Sequence, residues 1–100
     1  MPPRVRVEWT GTAEDDLLLV IAKIAEENPV AAEDLLHEIR EKAQGLSENP
    51  KLYAISQRAK QYRQLTVRAN FLVYYRVITE DAPVLAKIMA VVHARQRWPQ

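Results

Sequence analysis

The stretch Pro83-Val84-Leu85-Ala86-Lys87-Ile88-Met89-Ala90-Val91-Val92-His93-Ala94-Arg95-Gln96-Arg97-Trp98-Pro99 separates into two side-chain sets when read with a period of two. Val84, Ala86, Ile88, Ala90, Val92 and Ala94 are all apolar. Leu85, Lys87, Met89, Val91, His93 and Arg95 are mixed, with the polar members gathered at the end. Successive side chains of a strand point to opposite faces, so the spacing predicts a sheet strand. One face packs on a core, and the other carries Lys87, His93 and Arg95 to an open surface. The β-branched residues suit a strand, and Pro99 follows as a stop. This is the expected central strand.

Two further strands precede it. Phe71-Leu72-Val73-Tyr74-Tyr75-Arg76-Val77-Ile78 alternates, with Phe71, Val73, Tyr75 and Val77 on one face. Arginine is rarely buried unpaired, which assigns Tyr74 and Arg76 to the open face. Arg63–Arg68 reads as a strand with Leu65 and Val67 inward, and Ala69-Asn70 as the tight turn between the two. Thr79–Pro83 makes the second turn. Near the start, Arg4-Val5-Arg6-Val7-Glu8-Trp9 alternates as a short strand with Val5, Val7 and Trp9 facing in.

Helices occupy the middle. Thr10 and Thr12 are both candidate N-caps, and Glu14, Asp15 and Asp16 favour the positive end of a helix dipole. Ala13, Leu17, Val20, Ile21 and Ile24 recur at helical spacing as far as about Glu27. Asn28-Pro29 stops this helix and starts another, whose stripe is Ala32, Leu35, Leu36, Ile39, Ala43 and Leu46. Gly45 is the expected C-cap, with Asn49-Pro50 as a further stop. His37 lies off the stripe as a half-exposed residue. Residues 50–61 lack periodicity, carry Lys51, Arg58 and Lys60, and read as a long loop that Tyr53 pins to the core. The expected fold is α+β: an N-terminal strand, an antiparallel helix hairpin, then a three-stranded antiparallel meander, with both helices on one face of the sheet. The other face then gathers Tyr74, Arg76, Lys87, His93 and Arg95, with Arg63 and Trp98 at its rim.

Bulk properties narrow the function. One hundred residues make a single domain, 1–100. No apolar run reaches the length of a membrane span, and Met1-Pro2-Pro3-Arg4 leads into no signal-peptide core. The absence of cysteine excludes disulfide and thiolate chemistry and makes a cytoplasmic location the default. The net charge of +1 conceals a division, because residues 1–49 hold five Lys/Arg against eleven Asp/Glu and residues 50–100 hold nine against two. Such asymmetry points to a nucleic-acid site or an acidic protein partner for the basic half. His37 and His93 share no metal-ligand spacing, Ser47 and Ser56 occupy no nucleophile turn, and two glycines cannot build a phosphate loop, so neither metal nor cofactor is expected. What remains is a basic face with aromatic members. Its guanidinium groups suit phosphates and carboxylates, and His93 is the candidate proton-transfer group.

Several segments together resemble RelE/ParE-superfamily toxins of type II toxin–antitoxin systems. They are Val7-Glu8-Trp9-Thr10, Ala13, Asp16-Leu17, Ile24-Ala25-Glu26 and Asn28-Pro29 in the first half. Leu46, Asn49-Pro50, Arg63, Leu65, Leu72–Val77 and Val91–Pro99 follow in the second. The likeness runs along nearly the whole chain and is greater towards ParE-like members. It implies a toxin that inhibits DNA gyrase and is neutralised by a cognate antitoxin, as a dimer or a heterotetramer with it. The partner-facing set would be Arg63, Tyr74, Arg76, Lys87, His93, Arg95, Arg97 and Trp98. RelE-like members instead cut mRNA on the ribosome without a metal. In that alternative His93 would move the proton, and Arg63, Arg76 and Arg95 would hold the phosphate. Leu72 departs from the nuclease pattern, where arginine can occur, and Lys23 stands where relatives often carry tyrosine.

Overall fold

The computed structural model describes residues 5–80 and 83–96. Strand β1 (Arg6–Trp9) leads into helices α1 (Gly11–Ala25) and α2 (Pro29–Gln44), the second of which tightens into a 3-10 turn at Gly45–Ser47. Strands β2 (Arg63–Val67), β3 (Phe71–Ile78) and β4 (Leu85–His93) complete a single sheet. Its spatial order is β1-β4-β3-β2, antiparallel except where β1 lies parallel to β4. The α+β architecture read from the sequence is the one observed, with β4 in the interior of the sheet.

Local chemistry sets the helix boundaries. Thr10, rather than Thr12, is the cap of α1, its hydroxyl accepting the Ala13 N–H at 3.1 Å. The Asn28 side chain accepts the Ala31 N–H at 3.0 Å, and Pro29 fills the first position of α2, where no N–H is needed. Gly45 ends α2 in right-handed geometry, φ −60°, so its freedom at positive φ goes unused. Arg40, near the end of α2, grips Glu14, in the first turn of α1, through two bonds of 2.6 and 2.9 Å. This contact fixes the two helices as antiparallel. The same guanidinium lies 4.7 Å from the centre of the Trp9 ring and so ties β1 into the hairpin. His37 is exposed, 3.8 Å from Glu33.

The helices bury Ala13, Leu17, Leu35, Ile39 and Ala43 against Leu65, Val67, Val73, Tyr75, Ala86, Ile88 and Val91 on one face of the sheet. A second, smaller core sits on the opposite face, where Ala59 of the 50–62 loop covers Leu72, Tyr74, Ala90 and Val92. Two expectations are corrected here. Tyr74 is fully buried beneath the loop and does not lie on an open face. The apolar set of β4 does not share one face either. Tyr74 pairs with Ala90 and Tyr75 with Ile88, leaving Met89 as an extra residue in a β-bulge. Beyond the bulge the alternation is inverted, so Ala86 and Ile88 face the helices while Ala90 and Val92 face the loop.

The turn between β2 and β3 also differs from its expected form. Val67 pairs with Phe71, so Arg68, Ala69 and Asn70 all lie in the turn, with φ of 52° at Arg68 and 60° at Ala69.

Candidate functional site

The 50–62 loop is held down by its own polar groups. The buried Ser56 hydroxyl accepts the N–H groups of Arg58 and Ala59, each at 3.1 Å, and donates to Gln64 Oε1 at 2.9 Å. Ile55 bridges to Arg63, the Gln64 N–H donates to the Ala54 carbonyl at 3.1 Å, and the Ser56 N–H donates to that of Tyr62 at 2.9 Å. At the loop's far side the Arg58 guanidinium donates to the carbonyls of Ala94, at 3.0 Å, and Gln96. A segment with no sequence periodicity is thus ordered by side-chain bonds to its own backbone, a signal that hydropathy does not carry.

Between this loop and the end of β3 runs an open groove of about 280 Å³, lined by Lys51, Ile55, Lys60, Gln61, Tyr62, Arg63, Tyr75, Arg76, Val77 and Thr79. Four of these residues are cations, and among the described residues no carboxylate lines the groove. Arg63 donates to the Tyr53 carbonyl at 2.7 Å, and the Tyr75 hydroxyl donates to that of Pro50 at 2.7 Å, so the floor is preorganised. Burial raises the Tyr75 phenol above its ordinary pKa, opposed by the nearby charge of Arg63. Arg76 is exposed and stands in register with Lys87, which faces Glu8 in turn.

The expected site residues therefore divide. Arg63 and Arg76 come together with Lys51 and Lys60 at one end of the sheet, and Lys87 is half-buried next to Arg76 on the outer face. His93 lies at the other end. Arg63 registers with Tyr75 and His93 with Phe71, four positions away on β3, which at about 3.3 Å per residue separates them by roughly 13 Å along the strands alone. The bulge also turns His93 towards the helix side, where it meets the Phe71 ring edge-on at 5.3 Å. The expected open-face position of His93 is corrected accordingly. Its Nδ1 accepts the Arg95 N–H at 3.1 Å, and the Arg95 side chain is exposed in the turn after β4. Arg97 and Trp98 lie outside the described residues. Lys23 is exposed in the last turn of α1.

No group of three or more His, Cys, Asp or Glu side chains fit to hold a metal occurs among the described residues. Likewise, no described helix is long and apolar enough to cross a membrane. The groove can bind anions by charge and by directed N–H donors, and its lining includes the exposed apolar side chain of Ile55.

The family model for the ParE toxin of the parDE type II toxin–antitoxin system matches residues 7–98. Two solved structures share the fold. A chain of the chromosomal ParDE toxin–antitoxin system from P. aeruginosa superposes with a TM-score of 0.74 at 20% identity, over 89% of this chain and 95% of that one. A chain of the RelBE2 toxin–antitoxin complex from Mycobacterium tuberculosis superposes at 0.63 with 22% identity, over 96% and 98%. A comparison with curated proteins gave no match.

Proposed function

Since the chain belongs to the ParE toxin family of type II toxin–antitoxin systems, we propose that it inhibits DNA gyrase and is held silent by a cognate antitoxin. The observation that carries the target reading is the family match over residues 7–98, which takes in every strand from Val7 of β1 onward and both helices. The two similar structures come from toxin–antitoxin systems, which supports an antitoxin as partner. Gyrase inhibition requires the cytoplasm, where chromosomal DNA is supercoiled.

Placement of the candidate proton-transfer group favours this reading over mRNA cleavage. General acid–base catalysis needs that group within hydrogen-bond reach of the reacting atoms, beside the cations that hold the phosphate. His93 instead faces Phe71 at the end of the sheet remote from Arg63 and Arg76. The groove cations then serve to bind a partner.

The deciding experiment runs two reactions with purified components, gyrase supercoiling and cleavage of ribosome-bound mRNA, each with and without this chain. Supercoiling is expected to fall while the mRNA stays intact, and His93→Ala is expected to retain growth arrest. Cleaved mRNA together with unaffected supercoiling, with cleavage and growth arrest both lost in His93→Ala, would replace the gyrase reading with the nuclease one.

A further inference from the structure

We propose that this chain self-associates through the free edge of β1, two copies pairing antiparallel about Val7 so that their sheets run on as one. Neither gyrase nor an antitoxin is needed for this contact.

The backbone groups of a strand point alternately to its two sides, just as its side chains point alternately to the two faces. The Arg6 N–H donates to the Val84 carbonyl at 2.9 Å and the Thr10 N–H to that of Ile88 at 3.0 Å, so residues 6, 8 and 10 direct their groups to β4. Those of Val7 and Trp9, and of Val5 ahead of them, therefore point out of the sheet. Among the described residues nothing hydrogen-bonds to these outward groups. The opposite edge, β2, is partly covered, since Ile55 bridges to Arg63 and the Gln64 N–H donates to the Ala54 carbonyl. Beside β1 the helix side opens into a hollow of about 660 Å³ lined by Trp9, His37, Arg40, Glu41 and Gln44, which leaves room for a second sheet to approach.

Charge then selects the register and the occupant. In a symmetric antiparallel pair, outward groups meet outward groups when the two-fold axis is centred on Arg6, on Val7 or on Glu8. Centring on Arg6 sets that residue directly against its own copy, and centring on Glu8 does the same to Glu8; like charges so placed repel. Only the axis through Val7 sets Arg6 of each copy against Glu8 of the other, in the closely spaced kind of pair with Cα atoms about 4.5 Å apart. Within one chain these two side chains lie 3.6 Å apart and are 67% and 40% exposed, so they can exchange partners. Val7 then exchanges both its backbone bonds with Val7 of the second copy. On either side of it Val5 meets Trp9, two partly buried residues of the helix side that make an apolar cross-strand pair. The edge is thus complementary to itself. So short a strand falls below the size of a permanent dimer contact, and the association depends on concentration.

Sedimentation equilibrium and amide exchange on the whole chain test the pairing. A dimer is expected with a dissociation constant of about 0.1 mM. Exchange at Val7 and Trp9 should slow as the concentration rises, whereas Arg6 and Glu8 should be protected at every concentration. Arg6→Glu and Glu8→Arg should each weaken the dimer about tenfold. Mixed in equal amounts, these two variants should pair with each other as tightly as the parent does with itself, and the double variant Arg6→Glu/Glu8→Arg should recover the parent's dimer. Val7→Pro removes an outward N–H and no bond to β4, so it should leave a folded monomer. A chain that is monomeric at about 1 mM would overturn the proposal. So would single variants that dimerise as well as the parent, a mixture that gains nothing over them, or concentration-dependent protection confined to the helices or to residues 50–62.

Discussion

The Asp16 carboxylate reaches from α1 to accept the N–H of Val91 at 3.1 Å, two residues past the bulged Met89. Burial raises its pKa, and the bond from Val91 opposes that shift only in part, while the charge of Asp15 adds to it. A raised folded-state pKa means that this group's contribution is full below its unfolded value and is lost as the pH rises through the folded one. Asp16→Ala, which leaves a half-buried N–H without its acceptor, should cost about 1–3 kcal/mol in urea denaturation at neutral pH. Asp16→Asn keeps the acceptor and removes the desolvated charge, so its stability relative to the parent should grow between acid and neutral pH. Ala69 offers a second single-residue test. At φ 60° a side chain is strained, and Ala69→Gly should raise stability by about 1 kcal/mol. In the sequence, Asp16 is indistinguishable from its neighbours Glu14 and Asp15 as a carboxylate of a first helical turn. Only its alignment with the bulge singles it out, and that alignment is a property of the assembled sheet.

Elements were legible wherever one periodicity ran unbroken. The stripes of α1 and α2, the Asn28-Pro29 punctuation and the alternation of β3 all lead to the observed elements, because each keeps one period from end to end. Around the bulge, Ile88–Val92 are apolar on both sides, so the alternation cannot show where one residue is added, and Ala90 and Val92 lie in the layer opposite to the expected one. Tyr74 was misplaced for a related reason, since the loop that covers it has no periodicity to reveal that it covers anything. Arg63, Arg76, Lys51 and Lys60 were visible as basic residues, but their convergence depends on the path that Ser56 gives the loop. Ser56→Ala should therefore destabilise the chain by about 1–3 kcal/mol and raise amide exchange across residues 54–62 far more than in the helices. Gly45 behaves oppositely. It is exposed and right-handed, and a Cβ there would meet nothing within 4 Å, so Gly45→Ala should raise the urea midpoint by the equivalent of about 0.5–1 kcal/mol.

Across the whole molecule the acidic and basic halves of the chain take different roles. The acidic half folds as the helix pair, and its carboxylates Glu14 and Glu38 are held below their ordinary pKa chiefly by hydrogen bonds from Arg40 and Arg68. Depressed values contribute stability above the unfolded pKa and lose it as the pH falls through the folded one. Thermal melts should accordingly decline in acid, and more steeply in Asp16→Asn, where the opposing contribution of Asp16 is gone. The pairing of residues 6–9 with 85–88 bears on biosynthesis as well. Among the described residues β1 has a single neighbour, β4, whose pairing residues follow its own by 79 positions in the chain. At about 5–20 residues per second, β1 waits several seconds on the ribosome with nothing to lie against. A nascent chain that stops short of those residues has an unfinished sheet, so the poison cannot assemble until residues 85–88 have been made.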